Sequence, residues 1–311
     1  MWNMLKWFAP SAKIVKRGEC GDNVKFTLDE NGVVTISGAG PVRDFQWDDK
    51  ERAYDTPWRT ERERIVRVEI HNGVTGIGEG AFASCAGLTS VVIPDGVKRV
   101  QKAAFADCAG LTSVAIPDSV TEIGKGAFAS CAGLTSVVIP DGVTVIGERA
   151  FEGCANMTSV TIPDSVTVIG TGAFADCAGL TGVTISESVT IIERAAFFQC
   201  AGLTSVTIPK SVTAIRKSAF CRCTALMSVT LSDGVTIIER SAFAGCAALT
   251  GVFIPDSVTK IEPGAFYGCE NMIRGVSIPF HAEIGGAFPD NAWVSRRSLY
   301  PDRPLRRRDE N

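Results

Sequence analysis

The sequence predicts an α/β repeat solenoid, a right-handed coil carrying a parallel sheet, closed at its start by an N-terminal β-rich cap. Three observations predict it. Phenylalanine recurs at Phe82, Phe105, Phe128, Phe151, Phe174, Phe197, Phe220, Phe243 and Phe266, always 23 residues apart. Cysteine keeps the same step three residues later, from Cys85 through Cys108, Cys131, Cys154, Cys177, Cys200, Cys223 and Cys246 to Cys269, so nine of the eleven cysteines are repeat positions. Within one unit, such as Leu134 to Asn156, Leu, Val and Ile stand at offsets 0, 3 and 5, just ahead of a proline.

Residues 1–64 show no such register and form the capping region. Val24 to Leu28, then Asp29-Glu30-Asn31-Gly32, then Val33 to Ile36 reads as a β-hairpin with an Asn-Gly turn. With Trp47 and Trp58 it is expected to cover the first coil, because an open solenoid end exposes core edges.

The solenoid occupies 65–288, with about nine full repeats and a degenerate last one. Val137 and Ile139 are two residues apart, which puts both on one face of a short strand. Proline at 94, 117, 140, 163, 209 and 255 cannot donate to a ladder, so it ends the strand, and Asp with Ser or Gly turns the chain. Val143 and Ile146 mark a return segment. The A-F-x-x-C stretch is expected to make one tight helical or 3-10 turn with its Phe inward. No coil can enclose its own apolar side, so like positions must stack at the strand spacing of about 4.8 Å, and nine coils should span roughly 43 Å. Each buried Phe or Leu then contributes roughly 1.5 to 3 kcal/mol before chain entropy is subtracted.

The register slips by one residue around Arg274 and Gly275, and the degenerate coil ends at Ala287-Phe288. Residues 289–311 hold Arg296, Arg297, Arg303, Arg306, Arg307 and Arg308, and are expected to form a disordered basic tail.

A net charge of -3 gives no global reason to expect nucleic acid. The 45% apolar content is ample for a core, yet no stretch reaches the roughly 18 to 20 uninterrupted apolar residues of a spanning helix. Lys6 and Pro10 interrupt Met1 to Ala12 before a signal-peptide core develops, so no secretory signal or anchor is expected.

The run I-P-D-S-V-T-x-I-G-x-G-A-F-x-x-C-x-x-L-T-S-V, at Ile116 to Val137, closely resembles the BspA-like, or Treponema-type, leucine-rich-repeat family. The resemblance covers most of the chain. Cys20-Gly21, the hairpin at Leu28 to Gly38, and Pro57-Trp58 before the first strand at Ile65 to Ile70 are similar to that family's N-terminal region. The resemblance implies a curved solenoid and a place at the cell surface. For surface-exposed bacterial and protozoan members it also implies adhesion to host extracellular-matrix proteins or to other cells.

The remaining chemical signals have plain structural readings. Stacking puts the cysteines in one line, whereas zinc needs four converging ligands, and parallel side chains do not favour regular disulfides; a buried thiol ladder is expected. Cys221-Arg222-Cys223 is the one close pair, and Cys20 lies in the cap. His71 and His281 have no partners for a triad or metal site. Gly76-Ile77-Gly78-Glu79-Gly80 resembles a phosphate loop, but its glycines recur at Gly124 and Gly126 as turn chemistry. Asp95, Asp118, Asp141, Asp164, Asp233 and Asp256 form an acidic column, read as turn capping or as a calcium ladder that Glu187 and Lys210 interrupt. Asn156-Met157-Thr158 is a glycosylation sequon, relevant only in a eukaryotic secretory pathway. No catalytic residue, cofactor site or metal site is expected.

Binding is expected along the outward strand column of Glu69, Val92, Ala115, Val138, Thr161, Thr184, Thr207, Thr230 and Phe253, where β-branching also simply favours strands. The charges Lys102, Lys125, Glu148, Arg149, Glu193, Arg194, Arg216, Lys217, Glu239 and Arg240 are expected to form a solvated ridge. The chain therefore reads as a non-enzymatic module that binds a protein, in the matrix or on a cell surface, in adhesion. The alternative is an intracellular scaffold or delivered effector, suggested by the missing signal and the unpaired thiols.

Overall fold

Each 23-residue unit closes one coil in a computed structural model of the chain, which describes residues 12–272, 276–289 and 294–297. Three strands open it: β1 (Ile14–Gly21), β2 (Val24–Asp29) and β3 (Val33–Gly38), an antiparallel meander. The β2–β3 turn is built as its residues demand. Gly32 has φ +80°, and the Asp29 carboxylate accepts the N–H groups of Asn31 and Val33, each at 2.9 Å. A side chain at Gly32 would meet the Arg64 carbonyl at 2.1 Å, so only glycine fits.

The cap is continuous with the solenoid. β3 pairs in parallel with Arg67–Ile70, which pairs in parallel with Ser90–Val92. A bridge from Val92 to Ala115 carries the ladder on to six strands running from Ser113–Val114 to Ser228–Leu231. Register is strict, as in Thr161 opposite Thr184 and Thr207 opposite Thr230.

The return segment is itself a sheet. Eleven short strands, from Gly40–Pro41 and Val74–Ile77 through Lys260–Ile261 to Glu283–Ile284, run side by side. From Arg99–Val100 to Lys260–Ile261 the second residue of each strand, such as Ile123, Ile146 or Ile169, is buried, whereas Ile284 of the last strand is exposed.

The third side, A-F-x-x-C, is a succession of turns, and the one helix among the described residues is the 3-10 segment Arg59–Arg64 in the cap. The helical component expected there gives way for a backbone reason. Two residues per coil adopt positive φ, as in Ala103 at 52° and Asp107 at 59°, or Ala195 at 56° and Gln199 at 57°, and this breaks a helical ladder. The freed groups bond between coils instead: Phe105 N–H donates to the Ala127 carbonyl and Phe128 N–H to the Ala150 carbonyl, both at 2.8 Å.

Inside lie the expected ladders, with all nine repeat phenylalanines fully buried. Their rings stack face to face at 5.2–5.4 Å. Trp58 opens the stack, 5.1 Å from Phe82 and tilted by 9°, and Phe288 closes it, 5.0 Å from Phe266 at 2°. The Trp58 indole N–H donates to the Ala81 carbonyl at 3.0 Å, and the rings of Phe26 and Phe45 meet its ring edge-on. Trp47 does not share this role. It is 50% exposed, meets the Tyr54 ring edge-on and donates its indole N–H to the Asp49 carboxylate, because it sits on a small outer hairpin, Trp47–Asp48 with Ala53–Tyr54.

At the other end Val294–Arg296 pairs in parallel with Val276–Ile278. Arg296 and Arg297, expected in a solvated tail, are thus drawn into the fold. The Arg297 guanidinium donates to the Ile254 carbonyl and the Asp256 carboxylate, each at 2.6 Å, and lies 4.7 Å over the Phe253 ring. Residues 1–11, Arg274 and Gly275 of the register slip, and the remaining tail arginines Arg303, Arg306, Arg307 and Arg308 lie outside the described residues.

Candidate functional site

Strand alternation sends Val114, Val137 and Val160 inward and the residues on either side outward. Val92, Ala115, Val138, Thr161, Thr184, Thr207, Thr230 and Phe253 are all exposed, Val138 by 75% and Phe253 by 62%. The two ends of this column differ from its centre. Glu69 is half-buried and ion-paired with Arg67 at 2.8 Å, while Phe253 carries the Arg297 guanidinium on one face. A second outward column lies beside the first, with Ser113, Ser136, Ser159, Ser205 and Ser228 exposed. Sequence reasoning passed over it, although the same alternation, two residues upstream, was the signal.

Threonine hydroxyls stitch the coils together. Thr135, Thr181 and Thr204 donate to the carbonyl 23 residues earlier at 3.0–3.2 Å, and Thr167, Thr190, Thr236 and Thr259 do so on the second sheet at 3.0–3.3 Å. These bonds leave the outward strand-face threonines without such a duty. The second sheet also presents Val145, exposed, with Val168, Ile191, Ala214 and Ile237 half-buried in line. The signal for that stripe was an apolar residue at the unassigned position of V-T-x-I.

The charged ridge pairs from coil to coil: Lys102 with Glu79 at 2.6 Å, Lys125 with Glu148 at 2.9 Å, and Arg216 with Glu239 at 3.2 Å. A hydrogen bond to Glu79 holds the Lys102 ammonium above its usual pKa. Exposed pairs of this kind contribute about 0 to 1 kcal/mol each, so they tune the surface more than they hold the fold.

The cysteine ladder is buried and every thiol is free; Cys221 alone is partly exposed. Each ladder thiol from Cys108 to Cys269 donates to a phenylalanine carbonyl one coil back, as in Cys108 to Phe82 at 3.2 Å and Cys131 to Phe105 at 3.1 Å. That donor explains why the position is cysteine and not alanine. Burial pushes the thiols of Cys85, Cys177 and Cys223 up to about 12, which leaves them protonated and poorly nucleophilic. Cys20 in the cap is pushed to about 12 by the same cause. The Cys221-Arg222-Cys223 pair is split, with Cys223 in the ladder and Cys221 outside it.

His71 and His281 are exposed. Gly80 and Gly126 have φ +63° and +58°, the left-handed conformation of their turns. The aspartates of the acidic column are exposed at the post-strand turns, and Asp256 is held by Arg297. Asn156 is exposed in a turn, while the Thr158 hydroxyl of its sequon donates to the Thr135 carbonyl at 3.5 Å. Among the described residues no group of three or more His, Cys, Asp or Glu is arranged to hold a metal ion, and no helix is long and apolar enough to cross a membrane.

Against known proteins, the model for the BspA type leucine rich repeat region matches in six copies, over residues 61–177 and 144–273. No curated protein matches the chain. Among solved structures, a leucine rich cell surface protein of Faecalibacterium prausnitzii is 26% identical, with 89% of this chain and 94% of that one covered and a TM-score of 0.48. A leucine rich repeat protein of T. pallidum is also 26% identical over 60% of this chain and 91% of its own, at a TM-score of 0.44. The pneumococcal vaccine antigen PcpA is 15% identical over 93% and 89%, at 0.49.

Proposed function

The chain belongs to the BspA-type leucine-rich-repeat family, and from that premise we propose that it is a non-catalytic adhesion scaffold that grips a partner protein along its outward strand face. The observation that carries this reading is the outward column from Val92 to Phe253, exposed in coil after coil. Its centre, Val138, Thr161, Thr184, Thr207 and Thr230, is uncharged and short, so a partner can approach without desolvating an ion. The hydroxyls offer hydrogen bonds and the methyl groups offer apolar area, a combination suited to broad contact with a matrix or cell-surface protein.

The test immobilises extracellular-matrix proteins, adds the full chain, and compares it with a V138R/T184R double variant. Binding by the parent that falls about tenfold or more in the variant supports the reading, since each arginine puts a bulky charge in a packed interface. Equal binding by both, or none by the parent, overturns it.

The eleven free thiols favour a second reading, a scaffold in a reducing compartment. Protease treatment of intact native cells separates the two. Cleavage of the chain places it outside; complete protection places it within.

A further inference from the structure

A repeat chain carries its own internal alignment. A position that every coil fills alike serves packing, and a departure from it needs another reason. One column of the second sheet's edge holds threonine in eight copies, from Thr75 to Thr259, and lysine only at Lys98. The next residue is Arg99, in a column that is apolar through the central coils, at Val145, Val168, Ile191, Ala214 and Ile237, and charged toward the ends, at Glu122 and Lys260 as well. Two residues further on stands Gln101, in a column that holds glycine at Gly78, Gly124, Gly147 and Gly170 and a charged residue at Glu193, Arg216, Glu239 and Glu262.

Lys98, Arg99 and Gln101 line one cleft of about 430 Å³ at the seam between cap and second sheet, together with Thr75 and with Arg43 and Asp44 of the cap. The cleft thus holds three cations and one carboxylate. That carboxylate is already engaged, since Asp44 accepts the Glu79 N–H at 2.7 Å. Nearby Glu79 is itself paired with Lys102. Arg99 meets Glu122 at 3.5 Å, but the side chains are 63% and 52% exposed, so the pair is readily exchanged. Among the described residues neither Lys98 nor Arg43 has an ion pair, and the Arg43 guanidinium is steadied 5.1 Å over the Phe45 ring.

The walls are fixed in advance. Val42 N–H donates to the Gly76 carbonyl at 2.9 Å, Arg43 N–H to the Cys20 carbonyl at 2.8 Å, and Phe45 N–H to the Glu79 carbonyl at 3.0 Å. A cleft stapled on both sides loses little entropy on binding.

We propose that this cleft binds an acidic peptide segment of a partner protein, with Arg43 and Arg99 clamping carboxylates and Lys98 adding a point charge. The guanidinium fork matches a carboxylate in two parallel hydrogen bonds. The volume exceeds what one inorganic anion fills, and the Gln101 amide and Thr75 hydroxyl supply neutral partners that a peptide backbone uses. The assignment rests on the protein-binding reading and adds a second, charged anchor to the neutral strand face.

The test measures fluorescence anisotropy of a labelled peptide of alternating Asp and Glu against its Asn and Gln counterpart, on the full chain. K98T and R99V each install a residue that other coils already carry, so they keep the fold, and an unchanged Tm checks this. The acidic peptide should bind about tenfold or more tightly than the amide peptide, lose that margin in K98T/R99V, and weaken with added salt. Equal affinity for the two peptides, or unaltered binding by K98T/R99V, overturns the assignment. So does displacement of the peptide by inorganic phosphate or a sulfated disaccharide at lower concentration than by unlabelled peptide. Failure here with matrix binding retained removes the cleft alone; failure of both removes the scaffold reading with it.

Discussion

The central coils and the cap seam are made of the same kinds of strand, yet they use their residues differently. Between Leu134 and Ile254 almost every buried position repeats, so each side chain rests on its own copy: Phe on Phe, Cys on Cys, Ile on Ile. At the seam the copies stop. Trp58 continues the stack with a larger ring, Arg43 and Asp44 of the cap line a cleft against the first coils, and Lys98 breaks its column of threonine. Repetition here measures packing, and departure from it measures either closure of an end or contact with something else.

Removing one ring from the middle of the stack and one from its end separates the two regions most strongly. Phe174 lies between Phe151 and Phe197, at 5.4 Å from each and fully buried. Phe174→Ala is expected to cost about 3 to 5 kcal/mol, from lost transfer energy and the cavity left behind. Phe288, stacked on Phe266 and partly exposed, should cost less than half of that in Phe288→Ala. Urea unfolding followed by circular dichroism checks both; equal losses would mean that the stack does not distinguish interior from end.

The thiol column gives a second contrast, through pH. Burial raises the folded-state pKa of Cys85, Cys177 and Cys223 from 9.0 to about 12. An unfolded chain releases these protons first, so the stabilisation is whole below pH 9 and is lost as pH rises from about 9 toward 12. At pH 10 each of the three should cost about 1.4 kcal/mol. Chemical unfolding at pH 8 and pH 10 measures the sum, and a chain equally stable at both values contradicts a buried, protonated ladder. At pH 8 a thiol reagent should reach Cys221 ahead of the ladder, because it alone is partly exposed.

How much of this was legible in the sequence follows the same division. The ladders and the outward strand column were legible because a 23-residue step and a two-residue alternation are strong periodic signals. The second sheet was not, since two-residue strands such as Val145–Ile146 are too short to show any alternation. Trp47 and Trp58 could not be told apart, because neither has a copy elsewhere to compare with. Arg296 and Arg297 looked like tail because charge alone does not reveal a carbonyl partner such as that of Ile254. Lys98 and Arg99 were in plain view, Lys98 as the one break in a column of threonine. They acquired meaning only when the cap's Arg43 was found beside them.

The smallest expected effect tests the turns that replaced the helix. One column of left-handed residues holds Gly80, Ala103, Gly126, Arg149, Gly172 and Ala195, with φ between 52° and 63° throughout. Backbone conformation is therefore constant while the residue changes, which separates conformational strain from packing. An L side chain pays about 1 kcal/mol for this conformation, offset in part by its stiffer unfolded chain. Ala195→Gly should therefore raise stability by about 0.5 to 1 kcal/mol. Gly172→Ala should lower it by a similar amount, because its new Cβ would find only the Arg149 Cγ at 3.4 Å and the Ala175 Cβ at 3.9 Å, leaving φ as the cost. Shifts of opposite sign in the urea midpoint at constant slope would support this account. If both substitutions were neutral, the turns would owe their shape to the hydrogen bonds between coils, and the glycines in this column would be there for no conformational reason.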